Sequence, residues 1–254
     1  MPSLGFSVAI GFLFAHLYKK DIKTTRLNWK FLIASLFFLI IIVMGRVTFE
    51  RNKVWKNDFS LWLETSSAMP NSVLAHLNLA LAYYDLNLLD DAIKEVRFVQ
   101  FDHPMRKEAF CILGDIYLAK GWTDRAIELY KIVIEEDPGN ASAYNGLSGA
   151  YAKKSQFKEC IEASLAALKL NPFLEEARYR LAESYSKIGL TEEAIKAYEE
   201  YLRTNPALID VYVDVGHLYY KKNDFKKAKE YWLAALKISK DYQPAKQALK
   251  LLKD

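Results

Sequence analysis

Residues 173–206, FLEEARYRLAESYSKIGLTEEAIKAYEEYLRTNP, end on a proline, and Pro70, Pro104, Pro138, Pro172 and Pro206 stand 34 residues apart without a slip. A fixed period of this length marks a chain made by stacking one small unit on copies of itself. Other columns keep the same period. Twelve residues before each proline from the second onward stand Ala92, Ala126, Cys160 and Ala194, with Ala228 at the fifth equivalent place. These are small side chains of the kind that let two helices approach closely. Nine residues earlier come Tyr83, Tyr117, Tyr151, Tyr185 and Tyr219, and four before each tyrosine lie Leu79, Leu113, Leu147, Leu181 and Val215. Apolar residues at i and i+4 share one face of a helix, so each unit opens with an amphipathic helix. Asn87, Gly121, Ser155, Gly189 and Asn223 follow at the place of a turn, where a left-handed residue ends the first helix. A second helix comes next, and the proline stops it.

The pattern resembles the tetratricopeptide repeat (TPR) family over residues 71–240, in units 71–104, 105–138, 139–172, 173–206 and 207–240. The resemblance implies an all-α fold, a TPR solenoid of helical hairpins wound into a right-handed superhelix. His76, Ser164 and Arg178 depart from it by standing at aromatic places. Residues 49–70 read as a junction with a lone helix at 57–69, because Trp62 stands eight before Pro70 as Tyr130 and Tyr198 stand before their prolines. Residues 241–254 read as a capping helix. Pro244 starts it, Ala245, Ala248, Leu249 and Leu252 share one face, and Lys246, Lys250 and Lys253 point away. A solenoid needs such a cap because each unit buries its apolar face only against neighbours.

The chain changes character before Asn57. Residues 1–18 carry no formal side-chain charge, and residues 31–45, FLIASLFFLIIIVMG, are uncharged between Lys30 and Arg46. A spanning helix needs about 20 residues, which the second run reaches with Trp29, Lys30 and Arg46 at the interfaces. Residues 1–48 are therefore expected to form a transmembrane helical hairpin, with spans at about 3–18 and 29–46, preceding the solenoid. Lys19 and Lys20 follow the first apolar run, where a cleaved signal would carry them before it.

The net charge of +4 divides unevenly: residues 1–56 carry +7 and residues 57–254 carry −3. The basic excess belongs to the membrane flanks, so no nucleic-acid partner is expected, since that would need a basic stripe on the repeats. Lys19, Lys20, Lys23, Arg26 and Lys30 lie between the two spans. The positive-inside rule places that loop in the cytoplasm and the repeats outside it, in a periplasm or lumen.

Residues 2–6, PSLGF, then Arg51-Asn52, Trp55, Leu61-Trp62 and Pro70 carry a second resemblance. They are similar to the last membrane helices and repeat junction of the transmembrane and tetratricopeptide repeat-containing proteins, glycosyltransferases of the GT-C class. Asn57 stands at that family's acidic position, with Asp58 one later, and the family's Glu-Arg-Tyr segment before PSLGF is missing. The family's catalytic carboxylates lie in an early loop upstream of anything matched here. The resemblance implies a C-terminal portion of a membrane glycosyltransferase, whose repeats position a protein acceptor.

No catalytic constellation emerges from the residues themselves. His16, His76, His103 and His217 have no partner at ligand spacing. Asp90-Asp91, Glu135-Glu136-Asp137 and Glu175-Glu176 fall at helix ends, where solvated charge is ordinary, and the ten glycines occur singly. Cys111 and Cys160 are expected as free thiols, Cys160 buried in the place of an alanine. No cofactor or metal site is expected.

A binding groove remains. The TPR resemblance implies a concave side lined by the first helix of each unit. The register places there Leu74, Leu77, Leu81 and Tyr84; Glu108, Cys111, Asp115 and Leu118; Ser142, Asn145, Gly149 and Ala152; Glu176, Tyr179, Glu183 and Ser186; and Asp210, Val213, His217 and Tyr220. The unit-one leucines are expected to pack on the helix at 57–69 or on the membrane part. Glu108, Asp115, Asn145, Tyr179, Glu183, His217 and Tyr220 are the candidate peptide contacts, the last four forming one continuous stretch. A lysine-and-asparagine clamp for a terminal carboxylate is not expected. The function read from these residues is a membrane-anchored scaffold that binds a polypeptide, with the glycosyltransferase portion as the alternative.

Overall fold

The computed structural model describes residues 29–54, 57–99 and 103–252, with side chains at 35–49 in the first of these stretches. Two compact units divide the chain, residues 1–64 and 65–254. In the first, helix α1 covers Trp29–Val54 and contains the uncharged run. Its large apolar side chains, among them Phe38, Ile42, Met44 and Phe49, are exposed. Among the described residues no helix is long and apolar enough to cross a membrane. The expected span at 3–18 and the loop up to residue 28 lie outside the described residues. Helix α2, Asp58–Ala68, forms at the expected lone helix, and Asn57 Oδ1 accepts from the Ser60 amide at its start, 2.8 Å away.

The unit 65–254 is helical hairpins throughout: α3 (Val73–Asp85) with α4 (Leu89–Val96), α5 (Arg106–Ala119) with α6 (Thr123–Glu136), α7 (Ala141–Lys153) with α8 (Phe157–Leu170), α9 (Glu175–Lys187) with α10 (Thr191–Thr204), and α11 (Ile209–Lys221) with α12 (Phe225–Ile238). Helix α13 (Gln243–Lys250) closes the stack with Pro244 in its first turn and Ala245 and Ala248 buried. The expected turns are present. Asn87, Gly121, Ser155, Gly189 and Asn223 all take positive φ, between 58° and 84°. At each, the next amide reaches back to the carbonyl of the recurring tyrosine, as Leu88 does to Tyr83 and Trp122 to Tyr117, both at 2.8 Å. This pairs carbonyls that the helix end would otherwise leave open.

One second helix is shorter than expected. Helix α4 has 8 residues where α6 has 14. After Val96 the chain turns, and Phe98 stacks on His76 with ring centroids 3.9 Å apart. His76, at an aromatic place in the repeat, also hydrogen-bonds the Pro70 carbonyl through Nε2 at 3.0 Å. Arg178 donates to the Pro172 carbonyl and the Tyr212 hydroxyl to the Pro206 carbonyl. Three different side chains thus tie the start of a first helix to the proline six residues before it.

Within each hairpin, a place on the first helix and a place 16 residues later on the second are both buried: Ala80 with Val96, Gly114 with Tyr130, Ser148 with Ser164, Ala182 with Tyr198, Gly216 with Trp232. Trp232, the largest partner, and Tyr130 face glycines. A Cβ on Gly114 would lie 2.7 Å from the Tyr130 ring, and one on Gly216 only 2.2 Å from Trp232 Nε1. Trp232 cannot yield freely, because it is fully buried and its Nε1–H donates to the Val213 carbonyl at 3.2 Å. Replacing Gly216 by Ala should therefore cost about 1–3 kcal/mol through overpacking. Gly216→Ala with Trp232→Tyr rebuilds the pair found in the fourth hairpin, so the double variant should melt above the sum of the single losses. A thermal-unfolding cycle showing strict additivity would refute this pairing.

Candidate functional site: the groove of the first helices

The first helices touch one another from α3 through α5 and α7 to α9, and α11 touches α13. Contact between α9 and α11 is thinner. Two cavities open along this inner layer. The first, of 420 Å³, is lined by residues of α3, α5, α7 and α9: Tyr84, Asp115, Leu118, Ala119, Asn145, Gly146, Gly149, Lys153, Glu176 and Arg180. The glycines make the hollow. A Cβ on Gly146 would lie 2.4 Å from the Tyr130 ring, so Tyr130 passes beneath α7, and its buried hydroxyl donates to Asp115 Oδ1 at 2.5 Å. Burial raises the Asp115 pKa, opposed by this hydrogen bond and by the charge of Arg180. Arg180 donates to Asn145 Oδ1 at 2.7 Å and to Ser148 Oγ at 3.3 Å. The Asn145 amide donates in turn to Glu176 Oε2 at 3.1 Å. Lys153 reaches back to the Leu118 carbonyl at 2.6 Å.

The second cavity, of 270 Å³, lies where α9 and α11 part. Tyr179, Glu183, Ser186, Lys187, Tyr198, Asp214, His217, Leu218 and Lys221 line it. Tyr179 and Tyr198 meet edge to face at 6.0 Å, and His217 lies against Trp232 at 5.3 Å. Burial raises the Tyr179 hydroxyl to about 12 and lowers the His217 pKa. Asp214 is raised to about 6, first by burial and then by the negative charges of Asp210 and Glu183, against which Lys187 pulls it down.

Of the candidate contacts, Asp115 and Asn145 share the first cavity, and Tyr179, Glu183 and His217 share the second. Glu108 is exposed in the first turn of α5, outside both. Tyr220 is a correction to the expected continuous stretch. Its ring packs on Phe225 and Trp232, and its hydroxyl faces the Leu251 carbonyl beyond α13. Leu77 and Val213 are also corrected, from groove to core, at 2% and 5% exposure. Of the unit-one leucines, Leu74 and Leu81 are exposed. Arg180 and Asp214 were missed, although they stand at one repeat position with Gly146. So were Lys153, Lys187 and Lys221, which share a last-turn position in three successive units. Cys111 and Cys160 are free. Among the described residues no group of three His, Cys, Asp or Glu could hold a metal ion.

Family models described as tetratricopeptide repeat match residues 77–141, 112–174, 176–207 and 209–242. Among solved structures, the chain is similar to a MamA protein at 27% identity and a TM-score of 0.59, over 66% of this chain and 92% of that one. MamA residues 41 to the end from Desulfovibrio magneticus RS-1 align at 18% identity and 0.60, over 66% and 95%. YrrB, described as a TPR protein with an unusual peptide-binding site, aligns at 20% identity and 0.60, over 74% and 97%. The last two are likenesses of fold. No curated protein matches significantly.

The raised Asp214 pKa has a measurable consequence. A carboxyl whose folded pKa lies near 6, above its ordinary 3.8, favours folding while protonated, and that contribution is lost as pH rises through 6. The group is partly exposed, so solvent screening reduces the effect to about 1 kcal/mol. Asp214→Asn should raise the melting temperature at pH 7.5 and leave it unchanged at pH 3, below the ordinary 3.8. An equal gain at both pH values would show that charge is not its source.

Proposed function

Because the chain belongs to the tetratricopeptide repeat family, we propose that it is a scaffold that binds an extended segment of another polypeptide along its first helices. The observation that carries this reading is the pair of cavities, 420 and 270 Å³, in successive stretches of the same inner layer. Both combine carboxylate and ammonium groups with tyrosine rings, and the first adds the Asn145 amide, a mixture that hydrogen-bonds a main chain and seats its side chains. YrrB supplies an analogy at the level of fold. The glycosyltransferase resemblance of residues 2–70 is not carried into this proposal, since the family matches begin at residue 77.

A displayed library of random peptides, selected on the full chain, tests the groove. Asn145→Ala with Tyr179→Ala removes one group from each cavity and should weaken the selected peptides by on the order of tenfold or more. Helicity and melting temperature check that the variant is folded. Peptides that bind the folded variant as well as the original would move the site off the groove.

The same proposal places the scaffold on a membrane through α1. The uncharged run of α1, residues 31–45, rises about 22 Å and approaches the roughly 30 Å of a bilayer's hydrocarbon core only with Trp29, Lys30 and Arg46 at the interfaces. Leu36 and the large apolar side chains from Phe38 to Met44 are exposed, with Arg46 the first charge beyond them. A helix apolar all round has no face suited to water. The uncharged run starts at residue 31, among side chains that are not described. The charge excess of residues 19–30 favours repeats outside the cytoplasm. Protease added to sealed, right-side-out membranes should digest residues 57–254, and complete protection would reject this orientation.

A further inference from the structure

We propose that the cavity between α9 and α11 takes the cationic side chain, arginine or lysine, of the bound polypeptide, seated between the Tyr179 ring and the carboxylates of Glu183 and Asp214. The inference rests on the groove reading and deepens it.

Three acids along the groove are satisfied within the chain. Asp115 accepts from Tyr130, Glu176 from Asn145, and Asp210 from Tyr242. Glu183 and Asp214 differ. They come from the two helices that part at this cavity, both are half-buried, and neither has a hydrogen bond or ion pair among the described residues. Two carboxylates brought together and partly desolvated with no cation in direct contact are costly, and a cation between them removes that cost.

The other walls fit the same guest. Tyr179, half-buried, presents aromatic surface, which attracts an ammonium or guanidinium and packs against its methylene stem, and the buried Tyr198 backs it edge to face. Lys187 and Lys221 also line the cavity, but both are exposed and belong to the last turns of their helices. Neither forms an ion pair with Glu183 or Asp214 within 4 Å. The lysines form a rim over an acidic, aromatic floor. A ligand cation passing the rim would make charge-assisted hydrogen bonds that the lysines leave unmade.

The test uses the full chain and the peptides selected on it. Each peptide is remade with arginine exchanged for citrulline or lysine for acetyl-lysine, keeping shape while removing charge, and affinities are read by fluorescence anisotropy. One cationic position per peptide should lose on the order of tenfold or more on neutralisation. Asp214→Asn and Glu183→Gln should weaken the charged peptides by a similar factor and bind charged and neutral forms alike. Lys187→Gln and Lys221→Gln should keep the preference. Asp214→Asn is expected to stabilise the fold, so its loss of binding would not be a loss of structure. Peptides that tolerate neutralisation overturn the proposal, as does a preference that survives in Asp214→Asn and Glu183→Gln. It also falls if an acidic peptide residue, read by Lys187 and Lys221, sets the affinity. The groove reading fails separately, when no peptide is selected or binding ignores Asn145→Ala with Tyr179→Ala.

Discussion

Every hairpin must fit a side chain from its second helix against one small position on its first, and most of the structure depends on that fit. Where the second helix offers Tyr130 or Trp232, the first offers glycine. Where it offers Tyr198 or Val96 the partner is alanine, and Ser164 stands with Ser148. Interiors packed like crystals tolerate little overlap, so the first helix keeps glycine, alanine or serine at this place in every hairpin. The fit also reaches the surface. Tyr130 is fully buried, and its hydroxyl holds Asp115, which lines the first cavity, while Tyr198 lines the second. Tyrosine serves both ends because its body is apolar and its tip polar. The columns that hold the hairpins together therefore also supply groove chemistry.

Hairpins are joined to one another by weaker means. Lys120 pairs with Asp90, Lys154 with Asp124 and Lys222 with Glu192, each lysine 30 residues after its acid. In the fourth hairpin Ile188 replaces the lysine, and Lys158 stands where the acid would be. The replacement avoids setting two cations together. Such exposed pairs contribute roughly 0–1 kcal/mol each. They matter more for register than for stability, which the buried alanines, tyrosines and Trp232 provide.

The second cavity departs from this economy. Asp214 sits where burial and two neighbouring acids oppose its charge, next to a gap between first helices that are in closer contact elsewhere. Packing alone would favour a neutral residue there. Groups that cost stability in a cleft are common where a ligand restores the balance, and stability is often traded for binding in this way. The first cavity shows the contrasting arrangement, with Arg180, Asn145, Glu176 and Ser148 already satisfying one another.

The 34-residue period and its columns were enough to determine the hairpins, the five left-handed turns, the buried alanines and Cys160, and the capping helix. Each of these depends on local backbone preference or on a pattern repeated in every unit, and such information lies along the chain. The groove was legible in part. Asp115, Asn145, Tyr179, Glu183 and His217 follow from helical spacing, but Leu77 and Val213 share a column with Asn145 and Tyr179 and still turn into the core. A helix advances about 100° per residue, so a position on the flank of the groove faces core or solvent according to how neighbouring helices cross. Apolar side chains there fold inward, while Arg180 and Asp214, one place further round, reach the cavities. Tyr220 went beneath α13 for a related reason: the next element in the stack, which no single helix specifies, covered it. Only the tertiary structure decided these cases, because spacing within one helix cannot fix the angle and distance between two.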